Sequence, residues 1–521
     1  MSFLRATLVE APFTIEDVDA LARGPAKLAL SEPARDALVE AHAVVERHAA
    51  GDEPVYGLNT GLGANLAFRV DRDAIETFQE QLVRARAIGV GEPLPEAVCR
   101  GALVIRCIGL SRGGAGVSPA LLDLLLAMVE QGVTPVIPRR GSIGAGDLGL
   151  AAHMAAVAIG RGEAWWEGRR IPGAEALAAA GLAPAELAAR DGHALCNTSS
   201  VSIAHGALTL VEAARLMLFS AYASALACEG FAANVSIFDA RIAALRPAAR
   251  QEDAAALFRR LLEGSSLDAA PARRIQDPLS FRCLAQIVGV ALQALEEARR
   301  EIEVELAGTS DSPVVLSDGR MLSTANFHTP ALALVFDALA IANAHLAAAS
   351  FQRIARLLDP ALTGLPRYLS PVGGGSAGYV PVQKLCAALV AEVRLGATPA
   401  SLEAMPVSDS VEDVAPQTPL AIGKLAGQLE PLRMLSAAEA LVAAQAVDLR
   451  EGARLAAPTR RFYDALRSVV EPLGADREPA PDLERVAALA VDQQLLGDLA
   501  TSLDGLDLPI LPRHSAVESA R

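Results

Sequence analysis

Gly141-Ser142-Ile143-Gly144-Ala145-Gly146-Asp147-Leu148 is the stretch whose reading decides the fold. Gly141, Gly144 and Gly146 fall within six residues, a spacing that predicts tight turns and a backbone other groups approach closely. An apolar run, Val133 to Pro138, and the pair Arg139-Arg140 lead into it. A long apolar helical pattern, Leu148 to Ile159, leads out. A glycine loop set between an apolar run and a helix is where the chemistry of this chain is expected to be centred.

Around that loop lie 521 residues, enough for two to four ordinary domains or one large helical assembly. Hydrophobic residues make up 52% and aromatics 4%, with alanine and leucine dominant, which favours long buried helices over sheets. A net charge of −15 argues against a nucleic-acid partner, which needs a basic face. Cys99, Cys107, Cys196, Cys228, Cys283 and Cys386 have no paired metal spacing and read as reduced thiols of a cytoplasmic protein. The start, Met1-Ser2-Phe3-Leu4-Arg5, carries no signal-peptide pattern. The most apolar stretches contain Glu212, Arg215 or Asp337, so none reads as a membrane span. Helices this apolar without a membrane suggest burial between subunits.

Along the chain, Glu16-Asp17-Val18 begins a short helix, and Ser31-Glu32-Pro33 opens a second over 34–48. Residues 72–90, 96–113 and 118–131 are helical by periodicity, and Trp165 to Ile171 reads as a small hairpin turning at Glu167-Gly168. Long helices are expected at about 200–231, 278–308, 327–357, 376–396 and 417–451, which suits a bundle. Residues 247–275 read as a surface helix plus loop and Pro371 to Gly378 as a loop. One helix is expected at about 481–503, with the last dozen residues frayed. The organisation reads as an N-terminal portion, 1–200, a central long-helix bundle, 201–470, and a C-terminal helical tail, 471–521.

Several blocks carry candidate chemistry. Tyr56-Gly57-Leu58-Asn59-Thr60-Gly61-Leu62-Gly63 is a glycine loop bearing a tyrosine. His193-Ala194-Leu195-Cys196-Asn197-Thr198 precedes the first long helix. Gln276-Asp277-Pro278-Leu279-Ser280-Phe281-Arg282-Cys283, with Gln286 beyond, opens another. Glu305 to Pro313, Asn326-Phe327-His328, Ser350-Phe351-Gln352-Arg353 and Val411-Glu412-Asp413 follow.

Together with the glycine stretch, these blocks resemble the histidine, phenylalanine and tyrosine ammonia-lyase family over about residues 14–450. The tyrosine loop matches the family's Tyr-Gly-Val-Asn-Thr-Gly-Phe-Gly at six of eight positions. The resemblance implies a mainly α fold: a long central helical bundle with a smaller N-terminal loop-and-helix portion, assembled as a homotetramer whose sites draw on several subunits. It implies Tyr56 as the base that takes a β-proton, in a loop whose glycines let it close. It implies Arg282 and Asn197 as the grip on an amino-acid carboxylate, the guanidinium binding in a bidentate fork. Glu412 falls at a contact to the amine or ring, with Gln286, Phe327 and Gln352 at further substrate-binding positions. A structural hydrogen bond is the expectation for His328, and an ion pair between helices remains open for Arg282. Phe78 to Arg86 aligns with the family's ring-selectivity helix, where Ala85-Arg86 stands at the selecting pair. If Arg86 faces the pocket it favours an anionic or strongly polar side chain on the ligand; a salt bridge between subunits is the alternative.

The family's Gly-Ser/Thr-Val-Gly-Ala-Ser-Gly-Asp-Leu builds a methylidene-imidazolone from Ala-Ser-Gly, so no external cofactor is expected. In this chain Ala145 is followed directly by Gly146 and Asp147, a one-residue deletion at the serine. Leu279, Ala307, Ser312 and Gln352 also depart from the family pattern. Three readings follow. In the first, a lyase eliminates ammonia or another leaving group from an already activated substrate, with residues 144–147 acting as an electrophilic or anion-binding loop. In the second, the fold has lost catalysis and serves as a ligand-binding or scaffold protein. In the third, the written sequence stands for a chain modified at 145–146. The first is preferred: an elimination-type carbon–nitrogen lyase giving an unsaturated acid from an α-amino acid or related substrate, because Tyr56, Asn197, Arg282 and Glu412 are retained together. Tyr56, Ala145, Gly146 and Asp147 are its candidate catalytic residues.

Overall fold

The computed structural model describes residues 4–269, 271–402, 405–409, 411–513 and 517–519. Its centre is a set of long helices: Ser200–Phe231, Leu284–Ala307, Pro330–Leu357, Val380–Gly396 and Thr418–Asp448. Ser200–Phe231 packs along Thr418–Asp448, which packs in turn on Pro330–Leu357. Ser200–Phe231 and the C-terminal half of Thr418–Asp448 are buried nearly all round, which explains why alanine and leucine recur there without a polar stripe. A buried ion pair ties three of them: Arg353 donates to Glu439 at 2.5 and 2.9 Å and to Ser224 Oγ at 2.8 Å.

The fold is mainly α, and one continuous apolar core runs from Ala6 to Ile510. Helix boundaries follow local chemistry. Thr14 and Asp17 form a reciprocal capping box on Ile15–Arg23. Ser118 caps Pro119–Gln131, which ends at Gly132 in the left-handed region. The hairpin is Glu163–Trp166 with Arg169–Pro172.

Some expectations need correction. The helix expected over 72–90 runs only from Ile75 to Arg86; the chain then extends so that Val90–Pro93 pairs with Pro138–Arg140. The stretch 247–275 is not merely a surface helix: Gln251–Leu262 buries Leu257, Phe258 and Leu261 against Leu284–Ala307. The expected tail helix is two, Pro479–Leu489 and Gln493–Thr501. The last dozen residues are not all frayed, since Glu518–Ser519 pairs antiparallel with Leu4–Leu8, itself parallel to Ala26–Leu30. Two stretches, 191–231 and 330–357, are long and apolar enough to cross a membrane, but 83% of the first window is buried inside the protein, as in a core helix. The second is 56% buried and leaves Leu334 and Ile341 exposed.

Candidate active site

The glycine loop is held on every side. The pair Val90↔Arg140 delivers the chain to Gly141. Gly144, at φ +85°, lies so close to the next layer that an added Cβ would stand 2.9 Å from the Thr418 amide nitrogen. The Gln417 amide donates to Ile143 O at 2.9 Å, the Gly146 amide to Phe327 O at 3.0 Å, and the Asp147 amide to Thr198 O at 2.7 Å. The Ser142 hydroxyl accepts from the Gly144 amide at 3.1 Å and donates to Asp147 Oδ1 at 3.0 Å.

The Asp147 carboxylate is fully buried. It accepts from the Ser202 amide at 2.7 Å and the Ser202 hydroxyl at 2.9 Å, at the start of Ser200–Phe231. Burial pushes its pKa up, against the Ser202 and Ser142 bonds that pull it down. Asp147 therefore pins the loop to a helix N-terminus, where a carboxylate is favoured, with both of its oxygens hydrogen-bonded to Ser202 or Ser142.

These residues do not fit a methylidene-imidazolone. The middle position, Gly146, has no hydroxyl to lose, and the nitrogen that would close the ring belongs to Asp147 and is bonded to Thr198 O. Ser142 is spent within the loop and is followed by Ile143. For the expected anion-binding role, the amides of Gly144, Gly146 and Asp147 are already hydrogen-bonded. Among the described residues of 143–147, only the Ile143 and Ala145 amides remain without a partner.

Tyr56 stands on a second glycine loop, next to His193. Its phenol oxygen accepts from the Gly63 amide at 2.9 Å, so the tyrosine closes its own glycine loop. The ring meets His193 edge-on, centroids 5.7 Å apart. Gly57, at φ +68°, allows that approach; a Cβ there would fall 2.3 Å from His193 Nδ1. Asn197, the residue after the Asp191–Cys196 helix, donates through Nδ2 to Ser312 O at 2.8 Å, and its Oδ1 faces Gly146. Phe327 presents its Cβ to Gly146 and its carbonyl to the Gly146 amide and Ser199 hydroxyl. Ala145 is bridged to His328. Glu412 is half-buried in a turn bridged to Val407, and Ser408 of that turn leans on Gly63.

The site is rich in cations. His193 is buried and its pKa is pushed far below the usual histidine value, first by burial, then by Arg190, Arg86 and Arg106. Burial pushes the Cys196 thiol up to about 12, against Arg86 and Arg106. Arg106 is neutralised by Asp311, at 2.7 and 3.3 Å. Arg86, the last residue of Ile75–Arg86, has no ion-pair or side-chain hydrogen-bond partner among the described residues. Its helix packs on Asp191–Cys196, and its charge contributes to lowering the His193 pKa and opposes the rise at Cys196.

The structure thus gathers Tyr56, Ala145, Gly146, Asp147, Asn197, Phe327, Glu412 and Arg86 around one end of the bundle. It does not bring Arg282, Gln286 and Gln352 there. Phe281, beside Arg282, stacks on Phe231 at 4.1 Å, and Arg353, beside Gln352, donates to Ser280 O at 3.2 Å. Phe231 ends the helix that Ser200 begins, so these residues lie roughly 48 Å away at 1.5 Å rise per residue. Arg282, Gln286 and Gln352 are exposed. Sequence reasoning missed Gln79, Arg190, His193 and Gln417, whose roles depend on contacts between distant segments.

The sequence pattern of the family described as aromatic amino acid lyase matches residues 13–468. Histidine ammonia-lyase of Symbiobacterium thermophilum is 38% identical over 496 residues, covering 95% of this chain and 98% of that one. Among solved structures, the ergothioneine-degrading enzyme ergothionase of Treponema denticola, in complex with desmethyl-ergothioneine sulfonic acid, superposes with a TM-score of 0.90 at 30% identity, covering 94% of this chain and 99% of that one. Histidine ammonia-lyase of Trypanosoma cruzi gives 0.88 at 28% identity, covering 98% and 96%.

Proposed function

This chain belongs to the aromatic amino acid lyase family, and we propose that its carbon–nitrogen lyase chemistry is directed at an imidazole-bearing amino acid whose amine is already a good leaving group, a betaine of the ergothioneine type. The observation that carries this reading is Ala145-Gly146-Asp147, a loop with every anchor in place and no hydroxyl from which an electrophile is made. A neutral amino group would have to leave as an amide anion, and the β-proton of an ordinary amino acid is weakly acidic, so an unaided tyrosine does not suffice for either. A trimethylated amine leaves as neutral trimethylamine without activation. Tyr56, as the base, takes the β-proton, the carbon–carbon double bond forms, and the Cα–N bond breaks with its electron pair on the departing nitrogen. The product is an unsaturated acid.

Arg86 supports the same class. A cation without a counter-ion suits a sulfur or other electron-rich substituent on the substrate ring. The carboxylate would meet Asn197 in one subunit and Arg282 in another, with Gln286 and Gln352 alongside. This requires a homo-oligomer, and a tetramer is the form proposed. The exposed apolar residues Val290, Val304, Leu334 and Ile341 on the bundle helices supply surface for it.

Intact mass and a substrate panel test the proposal together. The unmodified mass is expected, with borohydride leaving activity unchanged and ergothioneine consumed with release of trimethylamine. A mass short by two waters together with turnover of free histidine would overturn it, because the electrophile would then exist.

A further inference from the structure

The structure gives His193 a part of its own. Its Nδ1 lies 2.7 Å from Arg190 Nη1. A guanidinium only donates, so Nδ1 is the acceptor and the ring is the neutral tautomer carrying its proton on Nε2. Arg190 is fully buried and adopts φ +80°, a conformation that a residue with a side chain holds only when its surroundings impose it. It also donates to Pro313 O at 2.6 Å and Ala115 O at 3.4 Å, and has no carboxylate in hydrogen-bond contact among the described residues. A buried guanidinium spending an N–H on an imidazole is a clamp on that ring's orientation.

The Tyr56–Gly57 segment is seated on the clamped ring. Gly57 lies so close to Nδ1 that no side chain fits between them. Gln79 ties the same two segments a second time, its Oε1 accepting from the His193 amide at 2.9 Å and its Nε2 donating to Gly57 O at 3.2 Å. Gln79 is itself fully buried. Nothing in composition or helix packing requires this polar arrangement, because an apolar side chain would fill the same space. What it supplies is a single position for the tyrosine.

We propose that His193, clamped by Arg190, is the positioning residue for Tyr56, holding the Tyr56–Gly63 loop in register with the glycine loop across the site. This rests on the reading of Tyr56 as the base. A misplacement of about 1 Å in a reacting group lowers turnover roughly 100-fold.

Two measurements on the full-length protein test it. Hydrogen exchange over residues 56–63 reads the seating directly and needs no substrate, since the Gly63 amide is bonded to the Tyr56 hydroxyl. His193→Leu is expected to raise exchange there on the order of tenfold, with the 200–231 helix unchanged. His193→Asn, whose side-chain oxygen stands near the place of Nδ1 and keeps an acceptor for Arg190, is expected to restore much of the protection. It also serves if His193→Leu fails to fold. The second is a kinetic cycle with ergothioneine: His193→Leu lowers kcat about 100-fold with KM little changed, yet adds nothing to Tyr56→Phe. Unchanged exchange in a folded variant, a loss confined to KM, or effects that multiply would overturn the role of His193. A Tyr56→Phe enzyme with wild-type turnover would instead sink the assignment of the base, and the exchange result would still stand or fall by itself.

Discussion

At the residue scale, Arg86 is a side chain with no ion-pair or hydrogen-bond partner among the described residues. It ends the Ile75–Arg86 helix, where a cation is favoured by the helix dipole, yet no carboxylate pairs with it among the described residues. A charge left in this position is stabilised by whatever enters the site. Arg86→Leu is therefore expected to raise KM for a substrate with a sulfur-bearing ring by roughly 10- to 100-fold, the range for a hydrogen bond to a charged group. Arg86→Lys should recover part of that, because charge is kept and the planar fork is lost. Steady-state kinetics on the three proteins is the measurement, and equal KM values would remove Arg86 from the ligand's surroundings. Asp147 is the opposite case. Both of its oxygens are occupied by the fold, so its retention beside a deleted serine reflects the anchoring of the loop to Ser202.

At the scale of elements, the legible and illegible parts separate cleanly. Long helices were legible because apolar residues at three- and four-residue spacing persist for more than twenty positions, as in Ser200–Phe231 and Thr418–Asp448. Tyr56, Asn197 and the glycine loop were legible because their motifs are local. The strand Glu518–Ser519 was not, since its pairing with Leu4–Leu8 joins the two ends of the chain. Nor was the clamp of Arg190 on His193, which has no sequence period. Glu229 near the end of Ser200–Phe231 is another such contact. One of its oxygens accepts from the Ala456 amide at 2.8 Å, just before Ala457–Val469, and the other is buried without a partner. Burial raises its pKa from the ordinary carboxyl value to about 7, against the opposing bond from the Ala456 amide. A carboxyl with a raised folded pKa binds its proton more tightly in the native state. Its contribution is present below about pH 4.5 and is lost as pH rises toward 7, on the order of 3 kcal/mol. Glu229→Gln should therefore raise the melting temperature at pH 8 and lose that advantage near pH 4.5. A melting temperature difference that stays constant across that range would contradict the shift.

At the scale of the whole molecule, the proposed homo-oligomer rests on the distance between the candidate site residues of one chain. Tyr56, Asn197 and the glycine loop stand at one end of the bundle, while Arg282 stands exposed at the other, with no ion-pair partner among the described residues. A helix roughly 48 Å long separates them, too far for any loop movement to close. In the proposed homo-oligomer, copies packed side by side in opposite directions would each lend an Arg282 end to another's Tyr56 end and cover the exposed apolar residues of the bundle. Closed symmetry then makes every site equivalent. The arrangement has a consequence that a site within one chain lacks. Tyr56→Phe and Arg282→Ala are each expected to be nearly inactive alone, but oligomers formed by co-expressing the two carry sites of mixed parentage. With random assembly about a quarter of the sites combine a native Tyr56 with a native Arg282, so activity should return to about a quarter of wild type. Separately purified variants, mixed without exchange of subunits, should stay inactive. If both residues served the same site from one chain, every site would carry one defect and co-expression would recover nothing.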